Sequence, residues 1–375
     1  MSESGDVSAA TSRDDTLDVA RAVAMIGVVV LNYHTYLNGL EAWTPLSPSI
    51  WQRLYNPSTG FFTTRFAALF VLVAGIGVSL MTRRSRESSN SSLLRADRLR
   101  LARRGALLLL VGYFLEWIWP GTILFYYGAY FIVAASIFAA PTRRVLGVGI
   151  AAAVAAAMIA WWRADQVLDL NFTSWLAPPK IDSPRNFLIR MFVSYTHPLF
   201  PWLLFFAVGI VLGRHMHNFA KFRPKMMLWS ALIVASTYTA THLLSPSPAR
   251  DPHETMIAKL LSTDPYDRGL AYSIATLATA LFAFGALSLL VSSIGGSAPV
   301  QMLSRAGQMS LTIYIAHIFF FNIVVHRLRW VGATGLDTAV VLALVFYAAA
   351  IPLSATWRKY AGRGPAERMY RAFGG

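Results

Sequence analysis

Long apolar stretches alternate with short polar and basic segments along the whole chain. Ten stretches have the length of a membrane-spanning helix, since about 20 apolar residues at roughly 1.5 Å per residue cross the hydrocarbon core of a bilayer. The predicted spans are residues 17–38, 60–81, 101–119, 122–140, 145–162, 197–213, 226–244, 271–291, 303–325 and 336–356. The pattern predicts an all-α fold, a polytopic transmembrane helix bundle of ten spans.

The first span, LDVARAVAMIGVVVLNYHTYLN, carries more polar groups than a plain anchor needs. Asp18 and Arg21 lie near its start, and Asn32 and His34 near its end. At about 100° per residue, Asn32 returns to within about 20° of the azimuth of Arg21, some 16 Å further along the axis. Burying polar groups in a membrane costs free energy, so such groups usually face a bundle interior. The polar residues of this helix therefore predict a functional site inside the bundle. His34 lies about 140° from Arg21, and the two share a cavity only if the helix unwinds near residues 32–38.

The ninth span, SRAGQMSLTIYIAHIFFFNIVV, has a second polar seam. Ser310, Tyr314 and His317 follow i, i+4, i+7 spacing and fall within about 60° of one another on a helix. A hydroxyl, a phenol and an imidazole on one face either hydrogen-bond to neighbouring helices or line a reaction chamber. The pattern leaves both alternatives open.

Further polar side chains fall near the predicted outer ends of other spans. Arg65, Glu116 and His197 are the candidates for substrate binding among them. A histidine near a membrane interface is also commonly a satisfied polar group with no further role. Several such groups at similar depth favour a shared polar site.

Charge predicts the orientation of the chain in the membrane. Only 14% of the 375 residues are charged, against about 25% in soluble proteins. With the N-terminus placed inside, 21 of the 33 Lys and Arg residues fall in inside segments, so both termini are predicted to be cytoplasmic. The same bias explains the net charge of +15 without nucleic-acid binding.

Three parts follow from this topology. Residues 1–16 form a polar cytoplasmic tail, residues 17–356 the transmembrane domain, and residues 357–375 a basic cytoplasmic tail. The inside segment RRSRESSNSSLLRADRLRLARR (83–104) is predicted to bind anionic membrane lipids or, alternatively, a phosphorylated cytoplasmic ligand.

Several chemistries are excluded by the sequence. The chain has no Cys, and therefore no thiolate nucleophile or disulfide. It contains no G-x-S-x-G, P-loop or H-E-x-x-H motif. His215 and His217 diverge around a helix, so no metal site is predicted.

The order of these segments resembles a known family. The opening LDVARAVAMIGVVVLN, the second span FFTTRFAALFVLVAGIGVSLM, and the later HPLFPWLLFFAVGIVLGR and AGQMSLTIYIAHIFFF are similar to YeiB-like bacterial membrane proteins. The tail WRKYAGRGPAERMYR resembles that family's closing GP-x-E-x-x-x-R. These proteins are grouped with the heparan-alpha-glucosaminide N-acetyltransferases among the multi-pass membrane acyltransferases.

The resemblance implies a transmembrane acyltransferase of the bacterial inner or plasma membrane. The acyl group, typically acetyl, would pass from acyl-CoA to a hydroxyl or amine of a sugar or glycolipid acceptor. Acyl-CoA is then a co-substrate, with no tightly bound cofactor, and a homodimer is one state left open. Asp18, Arg21 and Asn32 match the family's polar positions in the first span. Ala22 stands where the family usually has Gly, and the only His near the first outside segment is His34.

These considerations give each candidate a role. His34, or else His317, takes the proton of the acceptor as general base, and Asn32 orients the carbonyl or stabilises the oxyanion. Arg21, with Asp18 fixing its guanidinium, and Arg104 bind the phosphate or pantetheine parts of acyl-CoA. Two other hypotheses use the same polar seams: a transporter or flippase without thioester chemistry, and a structural membrane subunit.

Overall fold

All regular elements in the described part of the chain are helices. The computed structural model describes residues 4–38, 47–88, 90–246, 251–332 and 334–375. The α-helices are α1 (Ser4–Asn38), α2 (Ile50–Leu54), α3 (Arg65–Met81), α4 (Arg83–Ser88), α5 (Ser91–Leu115), α6 (Ile123–Ile137), α7 (Thr142–Leu168), α8 (Pro184–Phe192), α9 (Leu199–Arg214), α10 (Phe219–Leu244), α11 (Pro252–Leu261), α12 (Leu270–Ile294), α13 (Ala298–Gly307), α14 (Ser310–Phe321), α15 (Leu336–Tyr360) and α16 (Pro365–Gly374). Short 3₁₀ turns cover Ser174–Leu176 and Met216–Asn218, and a π-helical turn covers Asn322–Arg327.

Among the described residues, six helical segments are long and apolar enough to cross a membrane. They are Asp15–Asn38, Thr142–Leu168, Met216–Leu244, Leu270–Ile294, Ser310–Arg327 and Leu336–Tyr360, and α3, α6 and α9 are shorter apolar helices. Each predicted span overlaps a helix, and the third coincides with part of α5. The all-helical membrane-protein architecture is therefore confirmed, whereas the total of ten crossings and the cytoplasmic termini stay predictions.

The predicted ninth span is not one continuous helix. It is divided into α13 and α14, with a turn at Gln308 and Met309. In a continuous helix the backbone N–H groups of Leu311 and Thr312 would bond to carbonyls four residues earlier. Here both donate to the carboxylate of Glu367, 2.8 and 3.0 Å away, so the helix begins anew at this point.

The chain divides into two compact units. The first comprises residues 1–70 and 283–369. In it α1 packs against α13, α14 and α15, and α13 packs against α15. Val19, Val291 and Val300 form a buried cluster in this unit. The most apolar window of the first span is 67% buried, so α1 is an internal helix on which the others assemble.

The second unit comprises residues 71–282 and 370–375. Its main helix pairs are α5 with α6 and α7 with α9, and α11 packs against α7. Polar caps mark where its helices start: the Asn90 side chain accepts bonds from the first turn of α5, Ser183 does so for α8 and Asp251 for α11. The window of Met216–Leu244 is only 6% buried, which is the exposure expected of an apolar helix that faces lipid.

Candidate functional site

His317 lies at the contact between α1 and α14 and is completely buried. Its Nε2 is 3.5 Å from the Asn32 amide nitrogen Nδ2. The neighbouring Tyr33 hydroxyl donates to the backbone oxygen of His317 at 3.0 Å. Two consecutive residues of α1 therefore hold the side chain and the backbone of the same histidine.

The hydrogen bonds of His317 define its tautomer. Its Nδ1 contacts the carbonyl oxygen of Tyr314, which can only accept a hydrogen bond. Nδ1 is therefore the protonated nitrogen, and Nε2 accepts from the Asn32 amide. The Tyr314 ring packs against the imidazole, with ring centroids 4.8 Å apart. Tyr314 and His317 share one helix face, as the sequence predicts, and the lone pair of His317 is directed at an amide inside the protein.

His34 has a similar tautomer in a different setting. Its Nδ1 is 2.9 Å from the carbonyl oxygen of Tyr55, so Nδ1 donates and Nε2 keeps its lone pair. The backbone that carries the Tyr55 carbonyl is held by two contacts with Phe62. Phe62 N donates to Leu54 O at 3.0 Å, and the Tyr55 and Phe62 rings pack with centroids 4.8 Å apart. His34 is thus held in one orientation by the segment that follows α2.

A cavity of about 320 Å³ adjoins His34. Its lining residues are His34, Asn38, Pro48, Gln52, Arg53, Asn56, Pro57, Thr59, Gly335 and Leu336. Asn38 follows His34 by one helical turn, so both side chains project to the same side of α1. An imidazole, amides, a hydroxyl and a guanidinium around a space of this size suit a polar ligand such as a sugar.

Two of the lining side chains also order the wall of the cavity. Gln52 completes a capping box with Ser49, because each side chain bonds the backbone N–H of the other, at 2.8 and 3.2 Å. Asn56 Oδ1 accepts from the backbone N–H groups of Ser58 and Thr59 at 2.9 and 3.0 Å. The wall is therefore fixed by local hydrogen bonds before any ligand binds.

The helix geometry separates Asn32 from His34. α1 is helical through Asn38, so the two side chains point about 160° apart. The condition for Arg21 and His34 to share a cavity, an unwound helix near residues 32–38, is not met. The structure therefore separates Asn32 from His34 but places it against His317, the alternative base, and Asn38 is the amide that lines the His34 cavity.

The remaining candidates of the first unit lie at three places. Arg21 forms an ion pair with Asp18 at 2.7 Å, and its side chain is 29% exposed. Ser310 lines a cavity of only about 10 Å³ beside α1. Arg65 is buried, with its guanidinium 5.9 Å from the Phe61 ring centroid and 3.5 Å from the Thr64 hydroxyl.

Glu116 belongs to the second unit and forms a buried ion pair. Its Oε2 is 2.5 Å from Arg190, and its Oε1 accepts from Gly121 N at 2.8 Å. Arg190 also donates to the Pro179 carbonyl at 2.7 Å and lies 3.6 Å from the centroid of the Tyr195 ring. The ion pair fixes the segment around residues 179–195 to the end of α5. Sequence reasoning missed Arg190, because a cation in a long polar segment gives no sign that it is buried.

His197 and Arg104 are also in the second unit, each in its own surroundings. His197 packs edge-on to Trp202 with ring centroids 4.5 Å apart, and its buried Nδ1 has no hydrogen-bond partner among the described residues. Arg104 is 2.7 Å from Met81 Sδ and 4.9 Å from the Tyr370 ring centroid. Within the described residues no three His, Asp or Glu side chains form a cluster suited to a metal ion.

Two family models match the chain. Residues 13–245 match the model described as heparan-alpha-glucosaminide N-acetyltransferase, catalytic. Residues 211–374 match the model described as a protein of unknown function (DUF418). No match was found among curated proteins. The first model covers α1 from residue 13 onward, including His34, and the cavity wall formed by residues 48–59.

Proposed function

The chain belongs to the family of the heparan-alpha-glucosaminide N-acetyltransferase catalytic domain, and on that premise we propose that it transfers an acetyl group from acetyl-CoA to a sugar or lipid-linked acceptor. Its family and its apolar helices indicate an acetyltransferase-like membrane protein. We propose acetyl-CoA as the donor, a sugar or lipid-linked molecule as the acceptor, and the residues below as those that act on them.

One observation carries the proposal: His34 has its Nδ1 anchored on the Tyr55 carbonyl beside a polar cavity of about 320 Å³. The anchor sets the tautomer in which Nε2 can accept a proton. A base must be in hydrogen-bond reach of the acceptor, and His34 borders a space large enough for one. His317 is fully buried, with Nε2 at the Asn32 amide, so it is the weaker candidate for this role.

The reaction is an acyl transfer at a thioester. The acceptor hydroxyl or amine attacks the carbonyl carbon of acetyl-CoA, forming a new C–O or C–N bond, and its proton passes to His34 Nε2. The C–S bond breaks, and the CoA thiolate leaves and takes up the proton. Asn38, on the same side of α1 as His34, orients the acceptor by hydrogen bonding. Holding both reactants in one shielded space lowers the entropic cost of their encounter.

Donor binding is assigned to the start of α1. The Asp18 carboxylate holds Arg21 at 2.7 Å, and the partly exposed guanidinium keeps further N–H groups for the phosphates of CoA. Arg104 lies in the second unit, and its predicted contact with CoA stays a prediction. The assignment of Arg21 rests on its charge and exposure, and it is tested by comparing CoA binding to Arg21→Gln with CoA binding to the parent protein.

The test is acetyl transfer by purified protein supplied with radiolabelled acetyl-CoA and a panel of amino sugars and neutral sugars. His34→Gln preserves a donor for the Tyr55 carbonyl and removes the base, so we expect the rate to fall by about 10²- to 10⁴-fold. His242→Gln, which replaces an exposed histidine at the end of α10, is the matched control and should keep the parent rate. Full activity of His34→Gln would overturn the assignment. Failure of the parent protein to release CoA with any acceptor would favour the transporter hypothesis.

A further inference from the structure

The first turn of α14 has no cap of its own. Met309, the residue before the helix, makes no side-chain capping bond. The N–H groups of a first helical turn have no partner within the helix and must find one elsewhere. In α14 the partner comes from a residue 55 to 56 positions further along the chain, in the C-terminal segment.

That partner is the carboxylate of Glu367. Its Oε1 accepts from Leu311 N at 2.8 Å and Thr312 N at 3.0 Å, and its Oε2 accepts from the Thr312 hydroxyl at 2.5 Å. The Thr312 oxygen accepts in turn from Ala366 N at 3.2 Å. A carboxylate at this end of a helix is also favoured by the helix dipole.

Gly364 and Trp357 support the contact between Glu367 and the first turn of α14. A Cβ on Gly364 would lie 2.2 Å from Glu367 Oε2 and 2.5 Å from the Thr312 hydroxyl, so any side chain there would displace the Glu367 carboxylate from Thr312. Trp357 donates its indole N–H to the Arg363 carbonyl at 3.0 Å, which fixes the turn before Gly364. The C-terminal W…GP-x-E sequence therefore forms one hydrogen-bonded unit with the start of α14. We name this unit the clasp (residues 357–367 with the first turn of α14).

The clasp acts on the helix that carries His317. His317 lies five residues after Thr312 on α14, and it contacts Asn32 through its ring and Tyr33 through its backbone. Asn32 and Tyr33 directly precede His34 on α1. We propose that Glu367 is a positioning residue: by anchoring α14, it sets where α1 holds His34 beside the cavity. This inference rests on the proposed acyl transfer.

The first test compares substitutions at Glu367. Glu367→Ala removes all three bonds, and we expect kcat to fall about tenfold with little change in KM, because the residue does not touch the reactants. Glu367→Gln keeps one acceptor oxygen and should recover part of the loss. Arg363→Gln replaces an exposed side chain in the same segment and should leave kcat unchanged. Parent-like kcat in Glu367→Ala would overturn the inference.

A reversible crosslink separates positioning from simple unfolding. The chain has no Cys, so Thr312→Cys with Ala366→Cys adds only one pair, at two residues that are already in contact through the Ala366 N–H and the Thr312 hydroxyl oxygen. In the Glu367→Ala background, oxidation of this pair should raise kcat towards the parent value, and reduction should lower it again in the same sample. An oxidised, crosslinked protein that stays at the reduced rate would contradict the inference.

Hydrogen exchange tests the clasp without relying on catalysis. In Glu367→Ala, amide exchange in peptides covering 310–317 should speed up at least tenfold relative to the parent, while peptides from α7 stay unchanged. If the parent transfers no acetyl group but this exchange effect is present, the proposed function fails and the clasp stands. If exchange in α14 is unchanged, the clasp fails whatever the activity.

Discussion

At the residue scale, Asn32 and His34 are close in sequence but have separate surroundings. Asn32 is bonded to a buried histidine of α14, and His34 borders the cavity with its tautomer set by a backbone carbonyl. The helical wheel already gives the angle between them. The wheel alone could not say which of the two faces the cavity, because that depends on the helices packed against α1.

Substitutions of Asn32 and Asn38 should therefore differ in kind. Asn38→Ala removes a hydrogen-bonding group from the cavity and should raise the KM for the acceptor about 2- to 10-fold at unchanged melting temperature. Asn32→Ala removes a partner of the buried His317 and should cost about 1–3 kcal/mol of stability. Acceptor kinetics and thermal unfolding in detergent measure the two effects. The opposite pattern would place the acceptor on the Asn32 side of α1.

Asp264 offers a residue-scale test of pH dependence outside the spans. Burial raises the pKa of its carboxyl above the usual value, although its Oδ1 accepts from Tyr266 N at 2.9 Å. A carboxyl whose pKa is higher in the folded than in the unfolded protein destabilises the fold when it is ionised. This destabilisation is absent below the pKa of the unfolded state and fully present above the pKa of the folded state. Asp264→Asn keeps the acceptor and should raise the melting temperature by about 1–3 °C at pH 7 and by nothing at pH 3.

The exposed Asp169, at the end of α7, supplies the control for that measurement. Asp169→Asn removes a carboxylate that is in contact with solvent, so its melting temperature should follow the parent at both pH values. A rise at pH 3 in Asp264→Asn would show that the gain comes from something other than relief of a buried charge.

At the element scale, periodicity and apolar length predicted the long apolar helices but not the short helices α2, α4, α8, α11 and α16. They failed at the boundary between α13 and α14, because that boundary depends on Glu367, a residue from the other end of the sequence. They also gave no sign of the Glu116–Arg190 ion pair, whose partners lie 74 positions apart. Local patterns report local structure, and both of these features arise from distant contacts.

Close packing of α3 against α9 gives an element-scale prediction. A Cβ on Gly209 would lie 2.1 Å from the backbone oxygen of Leu72, and backbone cannot move aside as a flexible side chain can. Gly209→Ala should force the two helices apart and cost about 1–3 kcal/mol, seen as a lower melting temperature. Gly147→Ala in α7 has open space around its Cβ and should be neutral or slightly stabilising.

At the scale of the whole molecule, the number of membrane crossings depends on α5. In the part of the chain that the structure describes, six helical segments have the length and apolarity of a span, and α3, α6 and α9 are shorter apolar helices. The helix α5 begins with a basic half that includes Arg95 and Arg98. If all ten predicted spans cross, three crossings separate Ser91 from Ser174. If α5 lies along the surface instead, only two separate them. The two arrangements therefore differ in whether Ser91 and Ser174 lie on the same side of the membrane.

Single cysteines decide between these arrangements, since the native chain contains none. Ser58, Ser91, Ser174 and Ala220 are exposed, and each can be replaced by Cys in turn. With both termini cytoplasmic and ten spans, an impermeant maleimide should label Cys at 58 and 174 in intact cells, and at 91 and 220 only after permeabilisation. Labelling of 91 and 174 under the same condition would remove α5 as a span. Because the cavity wall and residue 58 belong to the same segment, labelling at 58 would also put the acceptor cavity on the extracytoplasmic side, where the proposed transfer needs it.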